Sequence, residues 1–159
     1  MLRLLPARTA EHYAIARELF VEYAQQLGHG LEFQHFDQEL ETLPGPYAPP
    51  GGCLLLARDG DQWVGSVGMR PRSTTICEMK RMYIRPAYRR RGVGRQMAHE
   101  LIRVAREIGY ERMRLDTLAP MTPARRLYES IGFCQIQPYY NNPIEGAVFY
   151  ELDLRGGHA

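Results

Sequence analysis

The chain has 159 residues, of which 45% are hydrophobic and 24% charged, and its net charge is +2. That length suits a single folded unit, residues 1–159, and the composition excludes disordered and fibrous classes. The near-neutral balance argues against a nucleic-acid binder, and no apolar run approaches the ~20 residues a membrane helix needs.

Residues 2–5 predict a short strand stopped by Pro6. Thr9 can cap a helix, with His12 where a capping box would place a glutamate. Tyr13, Ala16, Phe20, Tyr23, Ala24 and Leu27 then follow helical spacing, and Gly28 ends the helix. A short helix over 36–43 stops at Pro44, and residues 44–52 (PGPYAPPGG) form an irregular loop. Residues 53–57 are an apolar strand, Asp59-Gly60 marks a hairpin turn, and Trp63 to Met69 return from it. A turn at Ser73-Thr74 precedes a strand over 76–84. A helix follows with Val93, Met97, Leu101, Val104, Ala105 and Ile108 on its apolar stripe, ended by Gly109. Residues 112–117 alternate as a strand, 123–130 form a helix closed by Gly132, and strands are expected over 133–137 and 147–154. This order predicts an α+β (mixed α/β) protein: a mixed, mostly antiparallel twisted sheet of about six to seven strands flanked by about four helices.

The N-terminus lacks the apolar core and cleavage site of a signal peptide. The three cysteines (Cys53, Cys77, Cys134) fit no metal or disulfide spacing, so no metal is expected, and they are assigned as small core residues in a reducing, cytoplasmic setting.

The strand over 76–84 breaks its own alternation. Cys77 and Met79 are apolar at odd positions, Met82 and Ile84 at even ones. A strand changes its inward face only by inserting a residue, which places a β-bulge between residues 80 and 83. Such a bulge frees a backbone amide from the ladder. Immediately downstream, Arg89-Arg90-Arg91-Gly92-Val93-Gly94 joins the strand to a helix start. Glycines permit close backbone approach, helix-start amides point at an anion, and arginines present planar donors to phosphate oxygens. The loop lacks the Gly-Lys-Ser/Thr of a Walker loop and the third glycine of a dinucleotide fingerprint. Alternatively, the arginines form only a solvated turn.

Two motifs carry a resemblance. Arg89, Gly92 and Gly94, at the end of EMKRMYIRPAYRRRGVG (78–94), resemble the Arg/Gln-x-x-Gly-x-Gly/Ala loop of the Gcn5-related N-acetyltransferase (GNAT) superfamily. Ala124, Leu127, Tyr128, Gly132 and Phe133 resemble its AxxLYxxxGF signature. The resemblance spans nearly the whole chain and implies the GNAT fold, acetyl-CoA as cofactor and acetyl transfer by direct attack of an amine. The implied cofactor-binding residues are Met82, Tyr83, Ile84, Arg89, Arg90, Arg91, Gly92, Val93, Gly94 and Arg95. Met121 stands where many members carry an asparagine, and Thr117 or Thr122 could take over that contact.

An attacking amine must first shed a proton, and Glu78 is the first candidate to accept it, with Glu145 second. Glu78 could instead be a surface partner of Lys80 or an arginine. The amide of Met82 or a neighbour, freed by the bulge, could stabilise negative charge on the thioester oxygen. By the resemblance Tyr128 donates to the leaving sulfur, though as a helix-face aromatic it could simply be core. The resemblance implies an acceptor wall from 26–33 and 138–146, where Tyr139, Tyr140, Asn141, Asn142 and Glu145 would suit a small polar amine. The partner is therefore a small-molecule amine, with no nucleic acid and no membrane, and a homodimer is compatible with it. A protein N-terminal or lysine amine as acceptor, or acyl-CoA binding without turnover, are the competing readings. His29 and His35 have no ligand spacing around them.

Overall fold

The computed structural model describes residues 1–27 and 35–156. The elements in order are β1 (Leu2–Pro6), α1 (Ala10–Leu27), α2 (Phe36–Thr42), β2 (Cys53–Asp59), β3 (Gln62–Pro71), β4 (Ile76–Ile84), α3 (Val93–Ile108), β5 (Arg112–Leu118), α4 (Thr122–Ile131), β6 (Cys134–Ile136) and β7 (Ala147–Asp153). The seven strands make one sheet in the order β1-β2-β3-β4-β5-β7-β6. Its strand pairs are antiparallel except β4 with β5. This is the mixed sheet expected from the order of elements.

Alternation sorts the side chains onto two faces. Under α3 and α4 lies a core of Val67, Met69, Cys77, Met79, Met97, Leu101, Met113, Leu115 and Tyr150, among others. Under α1 and α2 lies a second core built from Leu19, Phe20, Phe36, Tyr47, Leu54 and Leu56. Each fully buried Leu or Phe contributes about 1.5–3 kcal/mol over its exposed state, so these two layers hold the sheet between its helices. On β4, β5 and β7 the residues facing away from the first core are instead Glu78, Lys80, Asp116, Phe149 and Glu151. That half of the sheet has charges where a helix-covered face would be apolar.

Several expectations change in detail. Thr9 accepts from the His12 amide at 3.1 Å, as a cap should, and His12 Nδ1 accepts from the Arg8 amide at 3.1 Å. The imidazole thus does the work of the missing glutamate one residue earlier. Ile108, expected on the apolar stripe, is 40% exposed at the last residue of α3. Residues 44–52 contain a short 3-10 turn that drives Tyr47 into the second core. The strand expected over 133–137 shrinks to Cys134–Ile136, and Cys134 is exposed, unlike the buried Cys53 and Cys77. The Gly28 stop, His29 and most of the 26–33 wall lie outside the described residues. Among those described, no helix is long and apolar enough to cross a membrane.

Candidate active site

Strands β4 and β5 pair only from Ile76–Glu78 to Arg112–Arg114 and diverge beyond that point. The gap is a slot of about 90 Å³, room for several waters at ~10–15 Å³ each. Met79 to Met82 line one side and Leu115 to Leu118 the other. Tyr23, Leu27, Met121, Ala124, Tyr128, Asn142 and Ile144 complete it.

The bulge sits on the β4 wall of this slot. Between the pairs Gly68↔Lys80 and Ser66↔Tyr83, β4 spends one residue more than β3. Arg81 takes φ +62°, an uncommon left-handed conformation for a side-chain-bearing residue. Its guanidinium compensates for that strain. It grips Glu39 of α2 through two bonds of 2.9 and 3.1 Å, and Tyr47 donates to the same carboxylate at 2.9 Å. Burial pushes the Glu39 carboxyl up, but the Arg81 bonds and charge and the Tyr47 hydroxyl outweigh it and hold it below the usual carboxylate range. Gly68 has no alternative here, since a Cβ would lie 2.5 Å from the Tyr47 ring. The parity switch in the sequence therefore marks a built feature, clamped from α2.

The basic loop follows a 3-10 turn, Pro86–Tyr88. Arg90 and Gly92 both take positive φ, +64° and +77°. None of the amides of residues 90–95 donates to a described residue, so the start of α3 presents a bare row of N–H groups. Arg90, Arg91 and Arg95 are exposed beside them, with Arg91 stacked on Tyr88 and Arg95 bonded to Ser130 at 2.9 Å. The Arg89 side chain turns back, donating to the Ile84 carbonyl at 2.9 Å and to Gln26 of α1. Val93 is the first buried residue of the helix, and the Tyr83 side chain leaves the slot for the α1 side, donating to Glu22.

Tyr128 is buried, packs edge-on to Phe133, and reaches the slot from α4. Burial raises its pKa well above that of a free tyrosine, so it stays a proton carrier at neutral pH. Its hydroxyl makes no hydrogen bond to a described residue. Thr117 lines the slot and donates to the Met121 sulfur at 3.7 Å, whereas Thr122 points back to the Pro120 carbonyl.

Glu78 is not among the residues lining the slot. It is fully buried, bonded by Arg70 at 3.0 Å and capped by the Tyr139 hydroxyl. It is a buried partner of an arginine, not the surface partner that the sequence left open. Glu145 is exposed and outside the slot. The carboxylate that does face the slot is Asp116, whose side chain is 9% exposed. It pairs with Lys80 at 3.7 Å, accepts from Asn142 at 2.8 Å, and accepts from the Tyr140 hydroxyl. Desolvation lowers the Lys80 pKa, and the Asp116 charge only partly restores it. Sequence reasoning missed this pair because Asp116 sits in an ordinary alternating strand, Arg-Leu-Asp-Thr, with no local mark. The signal was global: a polar position on β5 facing a polar position on β4.

The loop over 137–146 covers the charged half of the sheet. Tyr139 and Tyr140 pack on Phe149 with ring centres 5.2 and 5.5 Å away. The bulge, the row of amides and the narrow slot together match a diphosphate-bearing thioester with a slender arm.

The description "Acetyltransferase (GNAT) family" matches residues 11–133. An uncharacterized N-acetyltransferase of Schizosaccharomyces pombe is 41% identical over 86% of this chain and 85% of its own. One from Escherichia coli is 31% identical, covering 75% and 72%. Among solved structures, an acetyltransferase from Streptococcus agalactiae superposes with TM-score 0.79 at 20% identity over 96% of this chain and 98% of that one. A Salmonella typhimurium acetyltransferase with acetyl-CoA gives 0.68 at 19% identity over 99% and 96%. The chain belongs to the GNAT acetyltransferase family and is an acetyl-CoA-dependent N-acetyltransferase.

Proposed function

We propose that the chain transfers the acetyl group to the amine of a small molecule entering from the charged half of the sheet. The observation that carries this is the meeting of three residues at one slot: Met82 at the bulge, Asp116 and Tyr128. When bound, acetyl-CoA supplies an activated thioester carbonyl. The amides of residues 90–95 with Arg90, Arg91 and Arg95 would hold its diphosphate. Met82, Tyr83 and Ile84 would flank its arm with backbone, while Arg89 shapes the loop.

Each protein group then has a task. Asp116 accepts the proton of the incoming ammonium, directly or through water. The Met82 amide donates to the carbonyl oxygen as negative charge builds there, a contribution of about 2.7–4 kcal/mol to the barrier. Tyr128 gives a proton to the departing sulfur. Glu78 acts as a positioning residue, fixing Tyr139 in the acceptor wall. The nearly buried Asp116 and the tyrosines packed over the charged half of the sheet support a small acceptor over a protein surface. Buried, unpaired Cys53 and Cys77 support a cytoplasmic setting, and the sheet running from β1 to β6 supports residues 1–159 acting as one unit.

The test follows thiol release from acetyl-CoA across a panel of amines, alongside thermal melting. Acetyl-CoA at 100 times its Kd should stabilise the fold by about 2.7 kcal/mol. Asp116→Asn should lower kcat by about 10²–10⁴-fold while sparing that shift. Acetyl-CoA binding with no amine accelerating thiol release would establish a module without turnover. Loss of turnover in Glu78→Gln with Asp116→Asn unaffected would return the base role to Glu78.

A further inference from the structure

Among the described residues, Arg72 makes the longest ion pair on this face of the sheet. Lys80 takes Asp116, Arg81 takes Glu39, Arg70 takes Glu78, and Arg112 and Arg114 share Glu151. Arg72, just past the end of β3, approaches Glu78 only at 4.0 Å and makes no hydrogen bond with a described residue. Its guanidinium is nonetheless held in place. It lies over the Tyr139 ring at 4.9 Å and the Tyr140 ring at 5.8 Å, and those rings are themselves pinned through their hydroxyls to Glu78 and Asp116. The side chain is 32% exposed, so its donor edge is open while its face is stacked. A stacked guanidinium with free N–H groups is a fork shaped for a carboxylate.

Tyr140 relates this cation to the slot. Arg72 sits over its ring, and its hydroxyl meets Asp116. The wall thus offers a positive end and a negative end separated by a single tyrosine. A simple amine would use only the negative end.

We infer that the acceptor is an amine that also carries a carboxylate, with Arg72 binding the carboxylate and Asp116 facing the amine. This rests on the acetyl-transfer reading above. Arg72 is a specificity-determining residue, and it takes no part in the chemical step.

The experiment uses matched acceptors: leucine, leucinamide and isopentylamine, then glutamate and γ-aminobutyrate to vary the spacing and number of carboxylates. In the unaltered enzyme kcat/KM should favour an acid over its carboxamide by about 10–100-fold, the range for a charge-assisted bond. Arg72→Gln should erase that preference through KM, with kcat within about twofold and the acetyl-CoA melting shift unchanged. Arg72→Lys should restore only part of it, since an ammonium cannot bind two oxygens in a plane. Equal use of acids and amides, or a preference surviving in Arg72→Gln, overturns the inference. If no amine is acetylated, the transfer reading fails, but calorimetric titration of the same acids still decides on Arg72. Binding that is lost in Arg72→Gln supports the carboxylate fork, and the absence of binding overturns it.

Discussion

Replacing Arg81 by methionine tests whether the bulge is held from α2. The substitution keeps the length of the side chain but removes both bonds to Glu39, leaving a carboxylate only 7% exposed with Tyr47 as its remaining donor. Breaking one partner of a buried ion pair typically costs about 3–5 kcal/mol, because the surviving charge stays desolvated. In a domain of this size each kcal/mol moves Tm by about 2–4 °C, so the variant should melt roughly 6–20 °C lower. Urea unfolding gives the free energy and differential scanning calorimetry the shift. The double variant Arg81→Met, Glu39→Leu removes the orphaned charge and should recover most of the loss. A single-variant cost below about 1 kcal/mol, or a double variant no more stable than the single, would refute the argument.

Tyr128→Phe should lower kcat by about 10²-fold or more with little change in the KM for acetyl-CoA, seen in steady-state kinetics; unchanged rates would make Tyr128 core alone. Gly92→Ala should cost about 1–2 kcal/mol by urea unfolding, since a Cβ there meets nothing within 4 Å and the penalty is purely the left-handed backbone. Gly94→Ala, whose Cβ would touch Leu127 at an ordinary 3.5 Å inside α3, should be neutral or stabilising by up to ~1 kcal/mol. The lowered Glu39 pKa contributes stability that is present above the unfolded value of about 4.5 and is lost as pH falls through the folded value. Melting scans from pH 6 to pH 3 should therefore fall more steeply in the parent than in Glu39→Gln.

The fold was legible because its cues are local. Asp59-Gly60, Gly109 and Gly132 mark the turns and helix ends, and alternation from Arg112 onward marks β5. The bulge was legible too, because Met79 and Met82 cannot share a face without an extra residue. What escaped were pairings between distant positions. Arg81 and Glu39 lie 42 residues apart, and neither carries a sign of the other. Asp116 is one more acid in an alternating strand until the sheet sets it opposite Lys80. Glu78 was singled out for its place on β4, but its exposure depended on Arg70 and Tyr139, which only the packed sheet brings together. The cysteines divided for the same reason: Cys77 falls under α3, and Cys134 falls on a short strand at the sheet's edge.

On β3, β5 and β7 the residues that pack under α3 and α4 and those on the charged face are immediate neighbours in the chain, turned to opposite sides. A point substitution at Arg70, Arg114 or Glu151 therefore changes the charge of that face without replacing Met69, Met113 or Tyr150 behind it. The charge pattern of this scaffold can drift by single codons while the hydrophobic layer stays unchanged.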